Sequence, residues 1–182
     1  MNSVRITTGK VRLSYANIWA PKSFDGQPEK YSCSLIIPKS DTKTVGRIRE
    51  AIKTLLADKD VQTKLGGKTK GLKMPLRDGD TDREDDPNYA DCYFINASAA
   101  PEHRPLILDR DKNEVLDQSE VYSGCYCQAS ISLYAFNSNG NKGIGCRLRG
   151  IRKLADGEPL GGSVVTADEF DDDDIDDTDD IF

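Results

Sequence analysis

Gly124-Cys125-Tyr126-Cys127-Gln128-Ala129-Ser130-Ile131-Ser132-Leu133-Tyr134-Ala135-Phe136, then Asn137-Ser138-Asn139-Gly140-Asn141, then a return run over residues 142–154, is the stretch that decides the fold. Two alternating runs around an Asn/Gly-rich turn predict a β-hairpin. Its two faces differ. Cys125, Cys127, Ala129, Ile131, Leu133 and Ala135 point one way, joined by Ile144, Cys146 and Leu148 of the return strand. These small and aliphatic side chains suit the interior of a small barrel. The other face carries Tyr126, Gln128, Ser130, Ser132, Tyr134 and Phe136, with Arg147 and Arg149 across the ladder. Rings that stack on bases and guanidiniums that follow phosphates are what a single-stranded nucleic-acid platform needs. The competing reading is that these rings cover a helix or a second copy of the chain.

Upstream, Val11, Leu13, Tyr15, Asn17 and Trp19 alternate with Arg12, Ser14, Ala16 and Ile18, which predicts a strand. A turn-rich loop over residues 20–29 leads to a second strand, residues 30–37, with Tyr31, Cys33, Leu35 and Ile37 on one face and Pro38 at its end. Ser40 or Asp41 then caps a helix whose apolar stripe is Val45, Ile48, Ile52 and Leu55. Its wet face carries Lys43, Arg47, Arg49 and Lys53. A second helical turn over residues 58–65 stops at Gly66-Gly67. Residues 68–88 read as a long polar loop, basic first (Lys68, Lys70, Lys73, Arg77), then acidic and solvated. Strands resume at residues 89–97 and 105–108. The expected class is mainly β with one inserted helix (α+β), closing into a small barrel. Tyr15, Trp19 and Tyr31 share faces with aliphatics, so core packing and a place at the barrel mouth both stay open.

Charge is segregated along the chain. The 182 residues carry a formal charge of −6, but ten carboxylates and no Lys or Arg fall within residues 168–182. The remaining 167 residues hold 25 basic and 21 acidic side chains, a net +4. A run of ten carboxylates repels itself and buries little, so it is expected to be disordered. The expected organisation is a domain over residues 1–155, a linker over 156–167 and the acidic tail over 168–182. The linker opens with Asp156-Gly157-Glu158-Pro159-Leu160-Gly161-Gly162-Ser163. Spaced apolar residues in the tail, Phe170, Ile175, Ile181 and Phe182, exceed what solvation requires. The stretch Asp179-Asp180-Ile181-Phe182 suits a shallow apolar pocket rimmed by Arg or Lys on another protein.

Several classes are set aside. No apolar run approaches the roughly 18 residues that span a bilayer. The segment Met1-Asn2-Ser3-Val4-Arg5 has no apolar leader character, so a cytosolic chain is expected. Five cysteines (Cys33, Cys92, Cys125, Cys127, Cys146) make an odd count, and Cys125-Tyr126-Cys127 is too tight for a zinc pair. They are read as small buried hydrophobes. With His103 the only histidine and no nucleophile–base pair, no catalytic residue, cofactor or metal is expected. Gly66-Gly67-Lys68-Thr69 fails as a phosphate loop because the motif's first glycine would fall at Gln62. Asp78-Gly79-Asp80-Thr81-Asp82 fails as a calcium loop, with Arg83 at the sixth position and Tyr89 at the twelfth. Two alternatives to strand binding stay open: a metal-dependent nuclease using the acidic loop from Asp78 to Asp86, or a protein-interaction or DNA-mimic module acting through the tail alone.

Five strings carry a family resemblance: Leu35-Ile36-Ile37-Pro38-Lys39-Ser40-Asp41, Pro75-Leu76-Arg77-Asp78-Gly79-Asp80, Tyr122-Ser123-Gly124-Cys125-Tyr126, Asn141-Lys142-Gly143-Ile144-Gly145 and Asp156-Gly157-Glu158-Pro159-Leu160-Gly161-Gly162. Together they resemble a family of phage single-stranded-DNA-binding proteins first catalogued as a domain of unknown function. The resemblance implies an OB-fold-like five-stranded barrel that coats exposed strands, without sequence specificity, during phage DNA replication and recombination. It also implies a tail that recruits replication proteins such as a polymerase or a helicase/primase, in the cytoplasm of an infected bacterial host. Bacterial host single-stranded-DNA-binding proteins carry a proline before the final Phe, where this chain has Ile181. From the face argument, the expected nucleic-acid contacts are Arg12, Tyr15, Trp19, Lys30, Tyr31, Lys73, Arg77, Tyr126, Tyr134, Phe136, Arg147 and Arg149. The expected partner contacts in the tail are Phe170, Asp179, Asp180, Ile181 and Phe182. Single-stranded DNA, replication proteins and a second copy as a homodimer are the partners expected, with the tail competing against DNA for the basic face.

Overall fold

A computed structural model describes residues 3–68 and 70–160. In chain order its elements are β1 (Ser3–Thr7), β2 (Val11–Lys22), β3 (Lys30–Pro38), α1 (Thr42–Ala57), α2 (Lys59–Lys64), β4 (Leu76–Asp78), α3 (Gly79–Asp82), β5 (Cys92–Ala99), β6 (Leu106–Leu108), β7 (Tyr126–Ser138) and β8 (Asn141–Ala155). The β7–β8 hairpin is the longest ladder. Its turn is tighter than the five-residue turn expected: Ser138 pairs with Asn141, and Asn139 and Gly140 take positive φ (50° and 86°). Two left-handed residues match the twist of the flanking strands, which is why Asn-Gly sits there. Every inward residue named above is buried, from Cys125 through Ala135 and from Ile144 through Leu148.

Five strands close on themselves. β2 pairs with β3, β3 with β5, β5 in parallel with β8, β8 with β7, and β7 with β2. This circuit is the mainly-β, OB-like barrel expected, and it leaves its five strands no open edge. The inserted helix α1 lies in the chain between the second and third barrel strands. Asp41 caps it by accepting from the Thr44 N–H at 3.1 Å, and its buried stripe of Val45, Ile48, Ala51 and Leu55 joins the barrel core. Two short strands were not anticipated: β1 adds to β7, and β4 adds to β5.

The polar loop over residues 68–88 is the main departure from expectation. Much of it is ordered against the outside of the barrel. Tyr89, following the acidic run, is fully buried with Phe94 and Ile36 in a second, small apolar cluster on the outer face. The Tyr89 and Phe94 rings meet edge-on at 5.1 Å, and the Tyr89 hydroxyl lies 3.2 Å from Ser34 Oγ. β3 is consequently buried on both faces from Cys33 to Ile37. Lys39 fixes the start of the segment, its ammonium lying 2.9 Å from Asp78 and 2.7 Å from Asp80. The two carboxylates raise the Lys39 pKa above its ordinary value, and the Lys39 contact leads the lowering of Asp80's.

Cys33, Cys125, Cys127 and Cys146 are buried and Cys92 is half-buried. Burial pushes the Cys33 thiol up to about 12 and raises Cys127 and Cys146 as well, so none offers a thiolate at neutral pH. Brief alkylation of the native protein is therefore expected to label Cys92 first among the five, read by peptide mass spectrometry. Early labelling of Cys33, Cys127 or Cys146 would mean that the barrel core opens readily.

Candidate nucleic-acid interface

The register of the barrel aligns short polar side chains across its outer wall. Asn17 stands opposite Ser32, Ser32 opposite Ser98, Ser98 opposite Arg147, and Arg147 opposite Ser132, a row that crosses all five strands. A second row runs Ser14, Ser34, Asn96. Directly opposed residues share a face, and Ser14, Asn17, Ser32, Ser34, Asn96 and Ser98 of these rows form the floor of an open groove of about 770 Å³. Neighbouring strands lie about 4.8 Å apart, so the floor from β2 to β8 is about 14 Å wide. Hydroxyls and amides there offer donors and acceptors to any base edge without committing to one.

Rings and cations stand around this floor. Tyr15 is 57 % exposed and has φ of +45°, a left-handed conformation that a bulky residue adopts only at a cost of about 1–2 kcal/mol. The cause is a register shift between Ser14 and Asn17 in the β2–β3 ladder. Because of that bulge Val11, Leu13 and Ile18 face the core while Tyr15 turns out, against the strict alternation read from the sequence. The bulged backbone is held by the Ala16 N–H donating to Ser123 Oγ at 2.9 Å. Strain concentrated on an exposed ring in a groove points to a working side chain. On the far side Tyr134 lies over Gly145, where a Cβ would meet the phenol ring at 2.8 Å. The Arg147 guanidinium covers the same ring at 5.1 Å. Lys22, Lys30 and Phe24, on and beside the β2–β3 turn, complete the rim, Lys22 lying 5.1 Å from the Phe24 ring.

Arg83 was missed by the sequence reading. It sits just after α3, in the run read as acidic and solvated, yet its guanidinium lies 5.5 Å from the Tyr15 ring, 5.8 Å from Tyr89 and 5.6 Å from Phe94. Among the described residues no carboxylate pairs with it, so a cation backed by three rings faces the groove. Only the apolar spacing of Tyr89 and Phe94 could have hinted that this segment folds back. Lys22, Phe24, Asn17, Ser32 and Asn96 were likewise absent from the expected contacts.

The other expected contacts divide. Tyr15, Lys30, Tyr134 and Arg147 gather at the groove. Phe136 shares the face of Tyr134 nearer the hairpin end and is half-buried, and Arg149 is exposed at a bulge between Leu148 and Gly150. Tyr31 is 7 % exposed and belongs to the core, because it faces inward with Cys33 and Leu35. Trp19 is half-buried, its indole N–H donating to the Val121 carbonyl at 3.1 Å. Arg12 donates to the Gly124 and Glu158 carbonyls (3.1 and 2.7 Å) and lies 5.5 Å from the Tyr126 ring, which Lys10 also covers. Arg77 is paired with Asp82 at 3.1 Å. Lys73 is exposed, and its backbone bridges to β8 at Gly143. Phe170, Asp179, Asp180, Ile181 and Phe182 lie outside the described residues.

The first part of the expected linker is docked. Tyr122 Oη donates to the Gly157 carbonyl at 2.9 Å, and the Leu160 N–H donates to the Ser123 carbonyl at 2.9 Å. Gly124, at φ +116°, is required there because a Cβ would strike the Glu158 carbonyl. Leu160 packs beside the Ile36–Tyr89–Phe94 cluster and lines the groove. Leu160, the last residue before Gly161, is therefore seated at the groove wall.

Comparisons with known proteins bear on the family and the fold. Residues 4–182 match the family model described as the Enterobacter phage Enc34 ssDNA-binding protein. Protein p50 of Acyrthosiphon pisum secondary endosymbiont phage 1 is 33 % identical over 177 residues, covering 93 % of this chain and 94 % of that one. Among solved structures, the single-stranded DNA-binding protein from bacteriophage Enc34 is similar with a TM-score of 0.65 at 29 % identity, covering 92 % of this chain and 90 % of that one. The same phage protein in complex with ssDNA gives 0.71 at 24 % identity, covering 86 % and 89 %. For gp2.5, a single-stranded DNA binding protein encoded by bacteriophage T7, the TM-score is 0.62 at 15 % identity, with 89 % and 97 % covered, a likeness of fold alone.

Proposed function

Because the chain belongs to the family of the Enterobacter phage Enc34 ssDNA-binding protein, a family of binders rather than enzymes, we propose that its groove holds single-stranded DNA during phage replication. The observation that carries the reading is the strained, exposed Tyr15 facing Tyr134–Arg147 across a floor of small polar side chains. Bases stack on the two rings, contributing roughly 1–3 kcal/mol each, and any base serves because every base has a π-face. Lys22, Lys30, Arg83 and Arg147 take the phosphates and release counterions. The protein coats strands without sequence preference in the host cytoplasm, in replication and recombination alike.

The acidic tail is the second working part. It competes with DNA for the groove when no strand is present, and once displaced it is available to polymerase or helicase/primase partners. Support comes from its charge, opposite to that of the body, and from Leu160, which seats the preceding linker at the groove wall eight residues before Asp168. Against the nuclease alternative, Asp78 and Asp80 are both held by Lys39 and Asp82 by Arg77, and the described residues of the loop gather no group of three or more side chains that could hold a metal ion.

Titration of oligonucleotides over a range of salt tests the reading. Deleting residues 168–182 is expected to raise DNA affinity, most at low salt where screening is weak. Arg147→Ala is expected to lower the salt slope by about one unit or less. Tyr134→Ala should weaken binding while leaving the slope nearly unchanged. Unchanged or weaker binding after the deletion would remove the competition, and an unchanged affinity in both point variants would move the site off this face.

A further inference from the structure

A second concavity lies outside the groove, where α2 meets the tip of the β7–β8 hairpin. It measures about 290 Å³ and is formed by Leu56, Gln62, Leu65, Gly67 and Lys68. That is at the lower end of small-molecule sites, which run roughly 300–1,000 Å³, and it suits one aromatic ring with a neighbouring side chain. Its floor is aliphatic and its surroundings are cationic. Lys68 lines it, and the Lys142 ammonium stands beside the Gly66–Gly67 turn, where a Cβ on Gly66 would lie 2.8 Å from it. Lys64 is tied to the hairpin through its carbonyl, which accepts from Asn137 Nδ2 at 3.1 Å, and Lys73 is bridged to Gly143 on the same hairpin. Lys68 and Lys142 thus meet at this cavity from two segments, and among the described residues neither forms an ion pair.

We propose that this cavity is the docking site of the chain's own Asp179-Asp180-Ile181-Phe182 stretch, the Phe182 ring against Leu56 and Leu65 and the carboxylates on Lys68 and Lys142. The inference rests on the tail-competition reading and specifies where the tail is anchored. Charge complementarity selects the occupant: an aromatic ring behind two carboxylates meets an apolar floor behind lysines. Reach allows it, since the 22 residues from Gly161 to Phe182 can extend about 75 Å. Position gives it a consequence. Lys142 is three residues along β8 from Gly145 in the groove, about 10 Å. A tail anchored at this cavity is kept near the groove instead of free in solution, which raises the local concentration of its ten carboxylates there. A nucleic-acid strand running on past Phe136 is the rival occupant, but a phosphate backbone gains nothing from the aliphatic floor.

The test uses the full chain and its point variants at low salt. Phe182→Ala and the double variant Lys68→Gln/Lys142→Gln are each expected to raise affinity for an oligothymidine by about two- to ten-fold. That is the factor released when a tether supplying a millimolar effective concentration loses a contact of comparable Kd. Combining them should add little, because both remove one contact. Amide spectra should show Phe182→Ala shifting Gly66, Gly67 and Lys68, and oligothymidine shifting them the same way. Weaker binding in the lysine variant would assign the cavity to the DNA path and overturn the proposal. Affinity that rises on deleting residues 168–182 but not in either variant would also overturn it while leaving tail competition intact. No change even on deletion would remove competition itself.

Discussion

Tyr15→Ala is expected to weaken single-stranded DNA binding by about 5- to 150-fold, the 1–3 kcal/mol that one base–ring stack contributes. The salt slope should hardly change, because no charge is lost. A companion variant separates binding from folding. Tyr15→Gly deletes the same ring but also relieves the left-handed backbone at φ +45°. That relief gains about 1–2 kcal/mol, against the roughly 0.5–1 kcal/mol that a glycine loses in chain entropy. Tyr15→Gly should therefore bind as poorly as Tyr15→Ala while unfolding at a temperature no lower than the parent. A ring placed for packing would behave in the opposite way, with stability falling and affinity holding. Thermal unfolding beside oligonucleotide titration distinguishes the two.

Tyr89→Ala is expected to have the largest effect on stability. The ring is fully buried between Phe94, Ile36 and Leu160, and deleting a buried aromatic costs about 3–5 kcal/mol. The segment it anchors carries Arg83, and the same cluster seats Leu160, so the groove loses a wall as well. Affinity measured at a temperature where the variant is still folded should fall too. Tyr89→Phe keeps the ring and gives up only the contact to Ser34, so it should cost about 1 kcal/mol and leave binding near normal. Full affinity in a folded Tyr89→Ala protein would show that the wall plays no part in holding DNA.

How much was legible in the sequence follows from the range over which each signal acts. The hairpin was readable because two alternating runs and the Asn/Gly-rich turn between them are local properties. The inward places of Cys125, Cys127 and Cys146 followed from the same alternation, while Cys92, read as buried with the rest, is only half-buried. The capped helix α1 and its insertion between the second and third barrel strands were equally local. The site was legible only in part. Tyr134 and Arg147 were found because they lie on a regular ladder, whereas Tyr15 was ambiguous because a bulge sets its direction, and a bulge depends on the partner strand. Tyr31 obeyed the alternation and so belongs to the core. Arg83 escaped because its neighbours are carboxylates; the segment folds back through Tyr89, a contact that exists only once β3 and β5 are paired. Arg12 was read as a phosphate ligand, and two of its donors go to the Gly124 and Glu158 carbonyls, an arrangement invisible until residues 156–160 dock.

The central claim is that unpaired DNA lies in the groove between Tyr15 and Tyr134. Photo-crosslinking of the full chain to an oligonucleotide carrying 5-iododeoxyuridine, with the modified peptides mapped by mass spectrometry, tests it most directly. Crosslinks are expected at Tyr15 and Tyr134, with Phe24 as the next site on the rim. Crosslinks confined to α1, to β1 or to the loop after β6, with both tyrosines unmodified, would contradict it.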